Sequence, residues 1–347
     1  MRPPGHPALA AFGTTIFAEM SALALEHDAI NLGQGFPDTD GPAEVLHAAI
    51  SAVRGGRNQY PPGAGVPELL EAIAAHQQRF YGVVVDPGAD VLVTVGAAEA
   101  IAATILALVS PGDEVVTFEP YYDSYAATIA LAGGVRRTSV LRFPEFAVDE
   151  ASLRAAFSAR TRLVLLNTPH NPTGKVFTRA EIELICALAR EFDAWVVTDE
   201  VYEHLTFDEV EHVHVASLPG MWERTLTISS AGKTFSTTGW KVGWVVGPAP
   251  AVAAVRGVKQ FLTYVGSGPF QPAVAHGLAL PDAAYQGLAS SLQSKRDLLV
   301  AGLRDVGLPV AVPQGTYFVI ADAAALGAED ALSWCRELPS RIGVVGV

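Results

Sequence analysis

Thr225-Leu-Thr-Ile-Ser-Ser-Ala-Gly-Lys-Thr-Phe-Ser-Thr-Thr-Gly-Trp-Lys-Val-Gly-Trp-Val-Val246 reads as a β-branched run, a small polar loop and a second β-type run. Such a pattern marks a strand end opening onto a loop, where ligand sites gather. Two of the chain's five lysines, Lys233 and Lys241, lie in this stretch, in a sequence with eighteen arginines. Where Arg supplies the surface charge, each Lys is a candidate for what Arg cannot do, namely lose its proton and act as an amine nucleophile. A loop lysine taken alone is an ordinary solvated group. What lies elsewhere along the chain decides between these readings.

Moving outward, residues 90–245 alternate short β-branched runs with helical patterns. The runs are Val91–Val95, 114–118, 162–167, 195–198, Thr225–Ser230 and Val242–Val246, and helix-like segments such as 97–108 and 178–192 separate them. This is the pattern of an α/β fold with a mostly parallel central sheet flanked by helices. In such sheets, ligands bind beyond the carboxyl ends of the strands. The notable polar residues fall at those ends. Gly96-Ala-Ala98 follows the first run and opens a helix, so it is either a phosphate-binding turn or a tight packing corner. Thr168-Pro-His-Asn-Pro-Thr-Gly174 follows the third and fixes Asn171, although Asn-Pro is also plain turn chemistry. Asp199-Glu-Val-Tyr202 follows the fourth, and Asp199 could equally cap a helix. Lys233 follows the fifth.

One chemistry uses all four positions: a phosphorylated, pyridine-containing aldehyde held as a Schiff base. Lys233 supplies the amine, the helix start holds the phosphate, and Asp199 keeps the pyridine nitrogen protonated so that the ring accepts electrons. Asn171 and Tyr202 are placed to hydrogen-bond the ring hydroxyl.

Composition narrows the classes. At 347 residues and 50% hydrophobic, the chain suits one large domain with a smaller one, or two similar ones. A net charge of −13 with no basic run argues against nucleic acid and anionic membrane as partners. The longest apolar stretch, 91–109, is interrupted by Gly96 and Glu99 and ends at Ser110-Pro-Gly-Asp113, which fits strand, turn and helix rather than a membrane span. Met1-Arg-Pro-Pro-Gly-His-Pro7 lacks signal-peptide features. Cys186 and Cys335 fall in amphipathic stretches and read as reduced, packed thiols, so a cytoplasmic protein is expected. Gly33 and Gly35 make a G-x-G with no third glycine, which does not support dinucleotide binding. His212-Val-His214 has the spacing of a metal pair, but with no third ligand apparent it reads as surface histidines, and no metal site is expected.

The chain resembles the class I/II aminotransferases of the fold-type-I pyridoxal-phosphate superfamily, in the branch with kynurenine and glutamine aminotransferases. The resemblance rests on Asn31-Leu-Gly-Gln-Gly-Phe-Pro-Asp38, Asn58-Gln-Tyr-Pro-Pro-Gly63, Glu119-Pro-Tyr-Tyr-Asp123, Asn167-Thr-Pro-His-Asn-Pro-Thr-Gly174, Thr198-Asp-Glu-Val-Tyr202 and the Lys233 segment. Phe17-Ala-Glu-Met-Ser-Ala-Leu-Ala24 and Lys259-Gln-Phe-Leu-Thr-Tyr-Val-Gly266 resemble most the actinobacterial N-succinyldiaminopimelate aminotransferases of lysine biosynthesis. The resemblance implies a large cofactor domain over 45–281 and a smaller α+β domain from 1–44 and 282–347. It implies pyridoxal 5′-phosphate as cofactor, with Lys233 as covalent anchor and proton-transfer base and Tyr122 stacked on the ring. Ala97, Ala98, Ser230 and Lys241 would hold the phosphate, and Tyr60 would reach it from the partner subunit of a homodimer. Gly35 and Asn171 would face the substrate.

The implied reaction is transamination between an amino acid and a 2-oxo acid, with N-succinyl-LL-2,6-diaminopimelate and 2-oxoglutarate/glutamate as the pair. Kynurenine, methionine or glutamine aminotransferase and cysteine-conjugate β-lyase are the alternatives on the same scaffold. A non-catalytic cofactor-binding regulator would carry a basic DNA-binding module that this acidic chain lacks. Relatives implied by the resemblance continue a few tens of residues further and carry there an Arg that clamps the substrate carboxylate; Arg341, in Ser340-Arg-Ile-Gly343, is not at that motif and reads as a surface residue. A bidentate Arg–carboxylate pair contributes roughly 1.5–3 kcal/mol. The expectation is therefore that the sequence reflects a truncated gene model and that the 347-residue polypeptide is a weak or unstable enzyme, checked by its steady-state transamination.

Overall fold

The protein is described here from a computed structural model covering residues 5–33, 35 and 37–347. The Met1-Arg-Pro-Pro4 start, and Gln34 and Phe36 of the Gly-rich block, lie outside the described residues.

Seven strands form the central sheet: β1 (Val91–Val95), β2 (Glu114–Glu119), β3 (Val135–Val140), β4 (Thr161–Asn167), β5 (Trp195–Asp199), β6 (Thr225–Ser230) and β7 (Val242–Val246). Their order is β1-β7-β6-β5-β4-β2-β3. All neighbouring pairs are parallel except those made by β7, which runs antiparallel to both β1 and β6. The continuous apolar runs follow from burial on both faces. In β4, Leu163 and Leu165 pack into one core with Ile101, Ile105, Val252 and Val255, whereas Val164 and Leu166 pack into another with Phe177, Ile182 and Ile185. Side chains alternate across a strand, so one apolar run serves both layers of helices.

β3 was not apparent in the sequence. Val135-Arg-Arg-Thr-Ser-Val140 is the edge strand, where exposed and half-exposed positions tolerate arginines. Arg136 pairs with Glu119 and Arg137 with Glu114 on the neighbouring β2. Charged side chains on an edge are a common guard against further strand pairing.

The parallel arrangement brings the carboxyl ends of β1, β4, β5 and β6 to one side. Asn167 lies opposite Asp199, and Asp199 opposite Ile228. Away from the sheet, Ile30–Asn31 pairs in parallel with Val344–Val345. Met20 and Ala24 of helix Ile16–Glu26 pack on Val345, so the early and late parts of the chain share a small apolar cluster. Glu19 pairs with Arg336 of helix Ala331–Ile342. Among the described residues, no helix is long and apolar enough to cross a membrane.

β7 passes directly beneath the turn that opens helix Gly96–Leu108. A Cβ on Gly243 would lie 2.5 Å from the Gly96 carbonyl carbon and 2.7 Å from the Ala97 nitrogen, both backbone atoms. Only glycine permits that approach. Gly243→Ala is expected to destabilise the protein by roughly 1–3 kcal/mol through forced backbone displacement. Chemical denaturation of both proteins checks this.

Candidate active site

The strand ends enclose a cavity of about 280 Å³ whose lining includes Gly35, Ala97, Ala98, Tyr122, Asn171, Asp199, Tyr202, Ser230, Lys233 and Lys241. Ten of the residues expected from sequence are thus brought together from separate chain segments. Tyr60 is not: it is 83% exposed, with its ring centroid 6.0 Å from that of Tyr264 in an edge-on arrangement. Arg341 is exposed and pairs with Glu337 at 3.2 Å.

Each group owes its place to local structure. Asp199 ends β5 and is buried. Its Oδ2 accepts a hydrogen bond from the Tyr125 hydroxyl at 2.6 Å, and its Oδ1 accepts one from the Val201 N–H at 3.4 Å. Asn167 stitches the neighbouring strand end to it, its Nδ2 donating to the Asp199 carbonyl at 2.8 Å while its Oδ1 accepts the Asn171 N–H at 2.6 Å. That second bond holds the loop carrying Asn171 over the cavity. Lys233 lies on the single helical turn Ala231–Thr234 directly after β6. Its Nζ donates to the Gly35 carbonyl at 2.9 Å and to the Tyr317 hydroxyl at 2.5 Å.

Burial shapes the electrostatics. It pushes the Asp199 carboxyl up to about 6, against the hydrogen bonds from Tyr125 and Val201 and the nearby Lys233 charge. It pushes the Lys233 amine down to about 8, against the attraction of Asp199 and with a further push from Lys241. The amine is thereby brought close to the neutral form that a nucleophile or base needs.

The cavity fits a phosphorylated pyridine. Helix Gly96–Leu108 has no side-chain cap at its N-terminus, so backbone N–H groups of its first turn lie open beside Ala97 and Ala98. Lys241 is close by, its Nζ coming within 3.3 Å of where a Cβ on Gly96 would sit, and it has no ion-pair partner among the described residues. At the other end, the buried Asp199 carboxyl has no cationic hydrogen-bond partner among the described residues, and a protonated ring nitrogen would supply one.

The sequence model of the family "Aminotransferase class I and II" matches residues 27–345. The chain belongs to the class I and II aminotransferases. It is a pyridoxal-phosphate-dependent enzyme of fold type I. It is 51% identical over 339 residues to a probable N-succinyldiaminopimelate aminotransferase of Mycobacterium tuberculosis, covering 97% of this chain and 85% of that protein. It is 44% identical over 335 residues to a methionine aminotransferase of Escherichia coli, covering 96% of this chain and 87% of that one. The solved structure of the M. tuberculosis N-succinyldiaminopimelate aminotransferase superposes with a TM-score of 0.97, covering 99% of this chain and 90% of that one.

Sequence reasoning missed several residues of this aminotransferase cavity. Tyr125, the donor to Asp199, sits three positions after Tyr122 in helix Ser124–Leu131, where it reads as core. Phe17 and Phe318 form apolar wall, and Tyr317 touches the lysine. All three come from parts of the chain remote from the strand ends.

The reading of His212 and His214 as surface groups is corrected. His212 Nε2 and His214 Nδ1 each lie 2.7 Å from the same Glu200 oxygen, and the side chains of all three are at most 5% exposed. The third group is Glu200, which went unnoticed because it belongs to the Asp199 motif. His214 also stacks on Tyr81, with ring centroids 4.2 Å apart. Burial pushes the Glu200 carboxyl up, but His214 and His212 outweigh it and hold it well below the usual carboxylate range. The triad thus braces the residue adjacent to Asp199.

Two outcomes follow. Asp199 binds its proton more tightly folded than unfolded, so its own contribution to the stability of cofactor-free protein should fall by about 3 kcal/mol as the pH rises from about 4 through 6, while buried His170 and His204, pushed down to about 3, give the opposite slope. Urea unfolding at pH 4.5 and 7 should show the stability of the wild type falling by about 2 kcal/mol relative to that of Asp199→Asn, the slopes of the other groups cancelling in the difference. Glu200→Ala strands two buried imidazoles and should cost about 3–5 kcal/mol in the same assay.

Proposed function

We propose that the enzyme transfers the amino group between N-succinyl-LL-2,6-diaminopimelate and 2-oxoglutarate/glutamate, a step of lysine biosynthesis. The observation that carries the amino-transfer chemistry is the pairing, in one desolvated cavity, of a lysine pushed down to about 8 with a buried carboxyl. The substrate rests on the 51% identity to the M. tuberculosis enzyme across nearly the whole chain.

The cofactor supplies an aldehyde that takes up an amino nitrogen and a ring that accepts electrons from the substrate's α-carbon. The chain's residues do the rest. The Ala97 and Ala98 backbone, Ser230 and Lys241 would hold the phosphate by open N–H groups, a hydroxyl and a point charge. Tyr122, in the cavity lining, would cover the ring face. The Asp199 carboxylate holds the ring nitrogen in its protonated state, and Tyr125 keeps that carboxylate oriented. Asn171 and Tyr202 hydrogen-bond the ring hydroxyl. Lys233 Nζ would anchor the cofactor and serve as the base for the proton on the substrate α-carbon. Gly35 and Asn171 face the substrate.

The reading includes a homodimer. Tyr60 and Tyr264 are 83% and 53% exposed and their rings meet, an apolar pair suited to cover by a second copy, with Tyr60 then reaching that copy's phosphate. It also includes a large domain over 45–281, a smaller one from 1–44 and 282–347, and a cytoplasmic location, in keeping with two free cysteines.

Protein loaded with pyridoxal phosphate should show a yellow absorption band that shifts on adding glutamate and returns with a 2-oxo acid. Lys233→Ala should slow that shift by about 10²–10⁴-fold or more. Among N-succinyl-LL-2,6-diaminopimelate, kynurenine, methionine and glutamine, the first should give the highest kcat/KM. A higher value for methionine would instead favour the activity of the E. coli relative.

A further inference from the structure

Tyr317 meets the lysine at its reacting nitrogen. The Lys233 Nζ lies 2.5 Å from the Tyr317 hydroxyl and 2.9 Å from the Gly35 carbonyl oxygen, and the Tyr317 hydroxyl itself donates to that same carbonyl. Nζ also sits 5.2 Å from the centroid of the Tyr317 ring and 5.6 Å from that of Tyr202, whose two rings meet edge-on at 82°. The amine is therefore held on one side by an oxygen pair and an aromatic corner.

The backbone is shaped to put the tyrosine there. Thr316, just before it, is a β-branched residue at φ 66°, a left-handed conformation that such residues rarely adopt. It is fully buried and its N–H donates to the Leu205 carbonyl at 2.9 Å. Gly315 bridges to Thr206, and a Cβ there would come within 2.6 Å of the Leu205 oxygen. The segment is thus pinned against the chain that follows Tyr202. Strain of this kind persists where the surroundings enforce it and gathers at functional sites.

A neutral amine has two N–H bonds and one lone pair. We propose that Tyr317 is a positioning residue for Lys233: its hydroxyl and the Gly35 carbonyl take both N–H bonds of the neutral amine, so that the lone pair faces the cavity. This rests on the assignment of Lys233 as the cofactor anchor. In the capture of the aldehyde, a carbon–nitrogen double bond forms, and the aldehyde oxygen leaves as water with both amine protons. Tyr317→Phe keeps the ring and loses the acceptor.

The test compares wild type and Tyr317→Phe, both freed of cofactor, in two measurements. One is the rate of covalent capture of pyridoxal 5′-phosphate, followed by the visible band. The other is the Kd of pyridoxamine 5′-phosphate, which has no aldehyde and binds without the lysine. The expected result is capture slowed roughly tenfold or more, the worth of one hydrogen bond to a charged or reacting group, with an unchanged pyridoxamine phosphate Kd. Unchanged capture would overturn the proposal. So would parallel loss of capture and of pyridoxamine phosphate affinity, because that is the mark of a damaged cavity. A wild type that captured no aldehyde would instead fail the anchor assignment itself.

Discussion

Desolvation of two opposite ionisable groups in one cavity is the constraint on which the rest of this structure depends. Asp199 and Lys233 both lose hydration there, and each is pushed toward its neutral form, to about 6 and about 8 respectively. Neither shift helps the bare fold. A buried carboxyl whose donors among the described residues are a tyrosine hydroxyl and a distant amide is a liability, and so is a buried amine. Such groups are kept where a ligand completes them. A protonated ring nitrogen gives Asp199 its cation, and an aldehyde uses the lysine in the form that burial favours.

The sheet makes this arrangement stable. Because β4, β5 and β6 are parallel, their carboxyl ends deliver Asn167, Asp199 and the Lys233 turn to one edge. The reversed strand β7 then brings Lys241 back to the start of helix Gly96–Leu108, an approach that Gly243 alone permits. Behind the edge, a second polar layer supports the first. Glu200 is fixed by His212 and His214, while Glu203 accepts from Tyr81 and Ser229. Within residues 199–203, Asp199, Val201 and Tyr202 thus line the cavity while Glu200 and Glu203 anchor in buried hydrogen bonds. These bonds tie down the segment that must hold Asp199 and Tyr202.

What could be read in the sequence followed from local rules. Burial on both faces forces continuous β-branched runs, so six of the seven strands were legible; β3 was not, because an edge strand with Arg136 and Arg137 looks like a charged loop. Strand-end chemistry pointed to Asn171, Asp199, Tyr202 and Lys233 because these sit immediately after their runs. Tyr125 was hidden by helical periodicity, which makes it resemble a core residue. Glu200 was hidden by its neighbour, and its histidines by a separation of twelve and fourteen positions along the chain.

The sequence by itself determined the α/β alternation, the cofactor class and the lysine that serves it, since strand periodicity, turn chemistry and the identity of an amine are properties of neighbouring residues. Only the tertiary structure decided how strongly Asp199 and Lys233 are perturbed, that His212 and His214 are buried around Glu200, and that Tyr317 meets the amine across 84 positions of chain. Burial and hydrogen-bond partnership depend on which distant segments pack together, and no local pattern encodes them.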